Sequence, residues 1–220
     1  MRAFCYLGSA LLAFGLSQPL AAQTVERTVG GVRLGVEGGK LKCEVTFYSP
    51  SIVRVVKAPQ ASMPAEESLA VVMSPGETKL KVAETDGAVT LASREVSVTV
   101  DRNDGTVTFA DARGNSLLKD QGAPVFTPIE SGVDKGFYRV SQAFRLDKDE
   151  PIYGLGQLQT GKMSQRDQQK YLIQSNLEDS SPFFQSVKGY GLYLDNYSPV
   201  TFTDNADGTR FDFAVGSCVD

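Results

Sequence analysis

The sequence predicts an all-β fold, an antiparallel β-sandwich, and three observations lead to this class. Apolar residues alternate with polar ones at a period of two in many short segments, as at Val96, Val98 and Val100. Turn-forming pairs such as Asp86-Gly87 and Asp104-Gly105 separate these segments at short intervals. No stretch carries an apolar stripe of three helical turns. Short alternating segments with frequent turns are typical of sandwiches and barrels.

The first 22 residues are predicted to be a signal peptide and not part of the fold. Arg2 supplies a positive start, and an uncharged apolar run extends from Phe4 to Leu16. Ala21-Ala22 then resembles a small-residue cleavage site. The apolar run is short for a membrane span. We therefore expect residues 1–22 to be removed and residues 23–220 to form an exported β-sandwich domain, periplasmic or secreted, with an uncleaved anchor as the alternative.

Composition excludes several classes of function. The 220 residues are 41% hydrophobic and 22% charged, which is enough to build a core. The net charge of −4 and a pI near 5.0 leave no basic stripe for phosphates, so nucleic acid is not an expected partner. Histidine is absent, which removes Ser-His-Asp and Cys-His catalysis and histidine-based metal sites.

The region from residue 29 to residue 109 is predicted to be a succession of short strands. Their centres, in chain order, are residues 32–36, 41–47, 52–56, 80–82, 89–91, 96–100 and 107–109. Cys43 lies at a core-facing position of the second strand, so we interpret it as a buried thiol, although a disulfide with Cys218 remains open. A short helix is conceivable only at residues 62–69 and 163–175.

The stretch from Pro151 to Asp204 is the densest in glycine, aromatic and amide residues. Gly154 and Gly156 indicate a close backbone approach or positive φ. A polar segment follows from Gln157 to Asn176, before the chain becomes strand-like again at residues 189–196. Long excursions between strands of a β scaffold tend to carry function.

A final hairpin is predicted near the end of the sequence. Val200 and Phe202 precede a turn at Asp207-Gly208, and Phe211, Phe213 and Val215 alternate after it. Because no later segment in the sequence is available as a neighbour, we expect this last strand to expose an apolar face.

The order of several short motifs resembles one family. Y-G-L-G-Q at residues 153–157, Q-S-N at 174–176, P-F at 182–183, K-G-Y-G at 188–191 and D-N-Y-S at 195–198 occur in succession. This order is similar to that of the amino-terminal domain of glycoside hydrolase family 31, which includes α-xylosidases and α-glucosidases. The resemblance implies a galactose mutarotase-like supersandwich, truncated before the (β/α)₈ catalytic barrel.

The resemblance also implies an activity for the parent protein. It would be a retaining enzyme acting on terminal α-linked sugars of oligosaccharides, with no metal or organic cofactor. Its catalytic carboxylates would lie in the barrel, so no catalytic residue is assigned here. The expected partners are an oligosaccharide substrate and the protein's own missing barrel. The alternatives are a non-catalytic carbohydrate-binding sandwich and a folding or interface module.

The polar segment contains the candidate substrate-binding residues. Amides, carboxylates and arginine are the groups that bind sugar hydroxyls, and an apolar side chain can face the sugar ring. In the resembled family this loop leans over the barrel mouth. The candidates are Gln159, Met163, Arg166, Asp167, Gln174 and Asn176. The alternative for each of them is an ordinary residue of a solvated loop.

Four acids near this segment could form a catalytic carboxylate pair, but we interpret them as solvated turn residues. They are Glu178, Asp179, Asp195 and Asp204.

Overall fold

The computed structural model describes residues 25–36, 39–59, 68–176 and 178–220. The predicted signal peptide, residues 1–22, lies outside these ranges, as does most of the conceivable helix at residues 62–69. The described ranges contain strands and no α-helix. Strand β13 occupies part of the other conceivable helix, residues 163–175.

The strands in chain order are β1 (Val25–Thr28), β2 (Gly31–Val36), β3 (Leu41–Ser49), β4 (Ile52–Pro59), β5 (Lys81–Glu84), β6 (Ala88–Ala92), β7 (Val96–Asp101), β8 (Val107–Asp111), β9 (Ser116–Asp120), β10 (Val125–Pro128), β11 (Tyr138–Arg145), β12 (Ile152–Gln157), β13 (Gln169–Leu172), β14 (Asp179–Ser186), β15 (Gly191–Tyr193), β16 (Val200–Asn205) and β17 (Gly208–Gly216).

The strands form one large sheet and two small ones. The large sheet has the order β13-β16-β17-β11-β9-β8-β7-β6-β5, with β10 paired to β11. The small sheets are β1-β2-β3-β4 and β12-β14-β15. Because the paired strands of all three sheets are antiparallel, the predicted antiparallel β-sandwich is confirmed.

Each small sheet packs on a different part of the large sheet. The four-stranded sheet contributes residues such as Leu34, Cys43 and Phe47 to a core shared with Val89 and Val98 of β6 and β7. These side chains are fully or almost fully buried. Cys43 is therefore the predicted core thiol: no disulfide joins it to Cys218, and burial raises its pKa to about 12.

The three-stranded sheet packs on the other part of the large sheet, around Phe211. The Phe211 ring lies 5.1 Å from Phe202 and 6.3–6.4 Å from Phe144, Phe184 and Phe213, measured between ring centroids. Three of these contacts are with neighbours in the large sheet, and Phe184 comes from β14. The aromatic cluster therefore joins the two layers.

The expected exposed apolar face on the last strand is wrong. Phe211 and Phe213 are buried, with 0% and 4% exposure. The reason is that β17 is not an edge: it pairs with β16 on one side and with β11 on the other.

A cleft of about 680 Å³ separates the edges of the two small sheets. One wall is β4, the opposite wall includes β15 and residues 194–195, and side chains of β7, β8, β9 and β11 form much of the floor. We call this feature the edge cleft.

An ion pair is buried at the floor of the edge cleft. Lys57 Nζ of β4 binds Asp120 Oδ2 of β9, and both side chains are only 3% exposed. The same oxygen accepts a hydrogen bond from Val107 N at 2.7 Å. This contact ties the four-stranded sheet to the large sheet by charge as well as by apolar packing.

Removing the carboxylate should therefore destabilise the fold strongly. Asp120→Asn keeps an acceptor for Val107 N but leaves the Lys57 ammonium buried without a counter-charge, which costs about 3–5 kcal/mol. The double variant Lys57→Met/Asp120→Asn should recover much of that loss. Urea unfolding would measure both values.

The matched control is Lys81→Met, which removes an exposed lysine from edge strand β5. It should change the unfolding free energy by less than about 0.5 kcal/mol. If Asp120→Asn loses no more stability than this control, the buried pair does not hold the sheets together.

Candidate functional site

The predicted polar excursion lies between β12 and β14 and is held at both ends. Gln165 N donates to Ile152 O at 2.9 Å, and Gln165 Nε2 donates to Gly154 O at 3.3 Å, so the loop folds back on β12. Farther along, β13 pairs with β16 and joins the excursion to the end of the large sheet. Residues 157–176 are therefore a loop with its own short strand.

The glycines at the start of this loop have positive φ angles and also lie close to a neighbouring strand, and these are the two features that the sequence indicates. The φ angles of Gly154, Leu155 and Gly156 are 131°, 68° and 92°, and the register of β12 against β14 shifts there. A Cβ at Gly156 would lie 1.9 Å from Asp179 O. Leu155 adopts a left-handed conformation that is uncommon for leucine, and its completely buried side chain holds it there.

An ion pair anchors the middle of the loop to the large sheet. Arg166 Nε donates to Asp204 Oδ1 at 2.9 Å, and Asp167 N donates to the same oxygen at 2.7 Å. Thr209 Oγ1 donates to Asp204 Oδ2 at 2.5 Å. The Asp204 side chain is 1% exposed and that of Arg166 is 23% exposed. The interpretation of Asp204 as a solvated turn acid is therefore wrong, because it occupies an inward-facing position of β16.

Arg166 also reaches the turn that precedes β12. Its Nη1 donates to Asp147 O at 2.9 Å and to Glu150 O at 2.6 Å. One guanidinium thus connects a loop, a turn and a sheet. The planar arrangement of its donors suits this task better than a single lysine ammonium would.

A second buried acid, Glu150, lies at that turn. Its Oε1 accepts hydrogen bonds from Ser186 Oγ at 2.5 Å and Tyr190 Oη at 2.6 Å. Its Oε2 accepts from Asp147 N at 3.0 Å and lies 3.1 Å from Lys188 Nζ. The carboxylate therefore joins the turn to β14 and to the approach to β15.

These contacts decide the charge state of Glu150. Burial by itself raises the pKa of the carboxyl, but the hydrogen bonds from Ser186, Tyr190 and Asp147 outweigh burial and lower the pKa below its ordinary 4.5. The lowered pKa stabilises the fold above pH 4.5, and that stabilisation is lost as the pH falls below it. Burial and the neighbouring carboxylate raise the pKa of Tyr190, which stays a donor.

The six candidate substrate-binding residues differ in their exposure and in their contacts with the protein. Arg166 is half-buried and held by protein groups, whereas the other five are exposed: Gln159, Met163, Asp167, Gln174 and Asn176. The structure brings Arg166 and Asp167 together at Asp204. Met163 is 81% exposed, and Gln174 Oε1 accepts from Ser180 N at 3.2 Å. None of the six lines the edge cleft.

Of the two acids that organise this region, sequence reasoning missed Glu150 and named Asp204 only as a solvated turn residue. Glu150 carries no local motif, although it directly precedes the Pro151 that begins the excursion. The alternation of Val200, Phe202 and Asp204 was the available signal for an inward-facing acid. In the described part of the chain, no group of three or more Cys, Asp or Glu side chains is placed to bind a metal, and no helix there could span a membrane.

Comparison with known proteins identifies the fold. The family profile described as the glycosyl hydrolase 31 N-terminal galactose mutarotase-like domain matches residues 42–203. An α-xylosidase of Saccharolobus solfataricus is 26% identical over 197 residues, which is 83% of this chain and 26% of that protein. The chain therefore spans about a quarter of the length of this relative.

Solved structures give the same result. The family 31 α-xylosidase of Xanthomonas citri superposes with a TM-score of 0.75 at 30% identity, over 83% of this chain and 20% of its own. A family 31 α-xylosidase from a soil metagenome, complexed with xylose, gives 0.77 at 21% identity, over 90% and 31%. Because the profile match covers well over half of the sequence, the chain belongs to the glycosyl hydrolase 31 N-terminal galactose mutarotase-like domain family.

Proposed function

We propose that this chain is the amino-terminal domain of an exported, retaining α-glycosidase that removes terminal α-xylosyl or α-glucosyl residues from oligosaccharides. The observation that carries the proposal is the family match over residues 42–203, together with α-xylosidases among its relatives. Export rests on residues 1–22, with Arg2, an uncharged apolar run and small residues at positions 21 and 22.

Retaining glycoside hydrolysis needs two carboxyl groups on either side of the scissile bond. One attacks the anomeric carbon, and the other protonates the leaving oxygen and later activates water. The two most buried acids of the loop region, Glu150 and Asp204, already accept hydrogen bonds from protein donors. They are structural acids, and in this proposal both catalytic carboxylates belong to another part of the parent enzyme.

The role proposed for the chain is to hold residues 157–176 against the sugar site of the parent enzyme. Arg166 is a positioning residue in this scheme, since its Nε and Nη1 donate to protein oxygens. The sugar-facing groups are the exposed candidates: Gln159, Met163, Asp167, Gln174 and Asn176. Amide and carboxylate groups would bind sugar hydroxyls, and the Met163 side chain would cover the apolar side of the ring.

The chain alone should not hydrolyse glycosides. Residues 23–220, purified and incubated with aryl α-xylosides and α-glucosides, should release no more phenol than a boiled sample. The longer enzyme should release it. Turnover by the 23–220 chain that survives repurification would place a catalytic pair inside this domain and contradict the proposal.

Met163→Ala in the longer enzyme should lower kcat/KM without lowering the melting temperature. The side chain is exposed, so its loss removes little packing from the domain. Partial burial of methionine against a sugar ring is worth about 1 kcal/mol, or roughly fivefold in kcat/KM.

Lys162→Ala is the matched control, because Lys162 is the exposed neighbour for which we propose no sugar contact. It should retain the wild-type kcat/KM. Equal kinetics for Met163→Ala, Lys162→Ala and wild type would show that Met163 does not contact the sugar.

A further inference from the structure

The sequence contains three Asp-Gly pairs, and each of them lies at a turn between two consecutive strands. They are Asp86-Gly87 between β5 and β6, Asp104-Gly105 between β7 and β8, and Asp207-Gly208 between β16 and β17. An aspartate followed by glycine is chemically labile, because the glycine nitrogen can attack the side-chain carbon Cγ of the aspartate and close a five-membered ring. Glycine has no Cβ to hinder this approach. The hydrogen bonding and the space around the glycine therefore decide which pair reacts.

The Asp104-Gly105 pair is held by hydrogen bonds on both sides of the reaction. Gly105 N, the attacking atom, donates to Asp101 O at 2.9 Å. Asp104 Oδ1, on the carboxyl that would be attacked, accepts from Thr106 N at 2.8 Å. A Cβ at Gly105 would lie 2.8 Å from Val36 Cγ2, so the glycine is also packed against β2. Ring closure here requires the turn to open first.

The Asp207-Gly208 pair is protected in a similar way. Gly208 pairs with Asn205, and the two residues close the hairpin of β16 and β17. In a hairpin with a two-residue loop, the N–H of the residue after the loop faces the carbonyl of the residue before it. Gln121 covers this turn: its Nε2 donates to Asp207 O at 2.6 Å, and a Cβ at Gly208 would lie 2.1 Å from its Oε1.

The Asp86-Gly87 pair has neither kind of protection. Thr85 N donates to Ala88 O at 2.9 Å and Ala88 N donates to Thr85 Oγ1 at 3.0 Å, so the turn closes without the N–H of Gly87. Among the described residues, none accepts a hydrogen bond from Gly87 N and none binds the exposed Asp86 side chain. Nothing in that part of the chain lies within 4 Å of the position that a Cβ at Gly87 would take.

We propose that Asp86 is a modification site, at which aspartate converts spontaneously to isoaspartate in preference to the other two Asp-Gly pairs. Gly87 N attacks Cγ of the protonated Asp86 carboxyl, and the amide hydrogen leaves with the carboxyl hydroxyl as water. A second water opens the ring. Cleavage between N and Cγ restores aspartate, whereas cleavage between N and the main-chain carbonyl carbon of Asp86 leaves isoaspartate. The inference does not depend on the proposed function.

The modification adds one methylene to the main chain inside a turn that neighbouring residues hold. Gly87 O accepts from Arg102 N at 2.9 Å, and Arg102 Nη2 donates to Glu84 Oε2 at 3.2 Å. A longer turn shifts the Gly87 carbonyl relative to Glu84, so it weakens this pair of contacts. Because β5 is the last strand of the large sheet, the disturbance stays at the edge of the fold.

The test is to age the purified protein at neutral pH and to measure isoaspartate in the three peptides by electron-transfer fragmentation. Isoaspartate at Asp86 should form at least about fivefold faster than at Asp104 or Asp207, the factor expected when one hydrogen bond must open before ring closure. The same ageing in urea supplies the first control. There the three rates should become similar, because unfolding removes the protection of the other two turns.

Gly87→Ala is the second control. The φ angle of Gly87 lies outside the left-handed region and there is space for a methyl group, so the variant should keep the wild-type melting temperature. Its Cβ hinders ring closure, so isoaspartate at Asp86 should form severalfold more slowly, with the rates at Asp104 and Asp207 unchanged.

Three results would overturn the proposal. The first is an equal or faster rate at Asp104 or Asp207 in the folded protein. The second is a preference for Asp86 that persists unchanged in urea, since the local sequence and not the fold would then set it. The third is an unchanged rate at Asp86 in the Gly87→Ala variant.

Discussion

The position of the loop at residues 157–176 depends on the buried carboxylate of Asp204, which needs hydrogen-bond donors around it. Asp204 occupies an inward-facing position of β16, and an ionised group there is costly unless donors surround it. Arg166, Asp167 and Thr209 supply those donors. Because two of the three belong to the loop, the electrostatic requirement of one strand residue fixes where the loop lies.

The constraint extends from Asp204 to the three-stranded sheet. Arg166 Nη1 binds the carbonyl of Glu150, and the Glu150 side chain binds Ser186 and Tyr190. Glu150 and Asp204 thus act at the two ends of one chain of contacts, which runs from β16 through the loop to β14. Sheets, turn and loop are connected by polar contacts as well as by the packing around Phe211. This connection gives the loop a defined position on the large sheet.

The sequence predicted the parts of this fold that depend on local pattern. Alternation at Val32, Val45 and Val98 located strands, and Gly154 and Gly156 predicted the positive φ angles and close approach of β12. The sequence did not predict that β17 has a strand on both sides. Its second neighbour, β11, has the polar residue Gln142 at a buried position, which interrupts the apolar alternation that would indicate a strand. The sequence also did not predict the role of Arg166. Its amide-rich neighbours indicate a solvated loop, and its partner Asp204 is 38 residues away in the sequence.

If the Arg166–Asp204 pair positions the loop, the two side chains should be energetically coupled, and a double-mutant cycle of unfolding free energies measures that coupling. The variants are Arg166→Ala, Asp204→Asn and the double substitution, each compared with the wild-type chain in urea. For a half-buried ion pair that holds the loop, we predict a coupling energy of about 2 kcal/mol between the two positions. Additive effects, with a coupling below about 0.5 kcal/mol, would show that this ion pair does not position the loop.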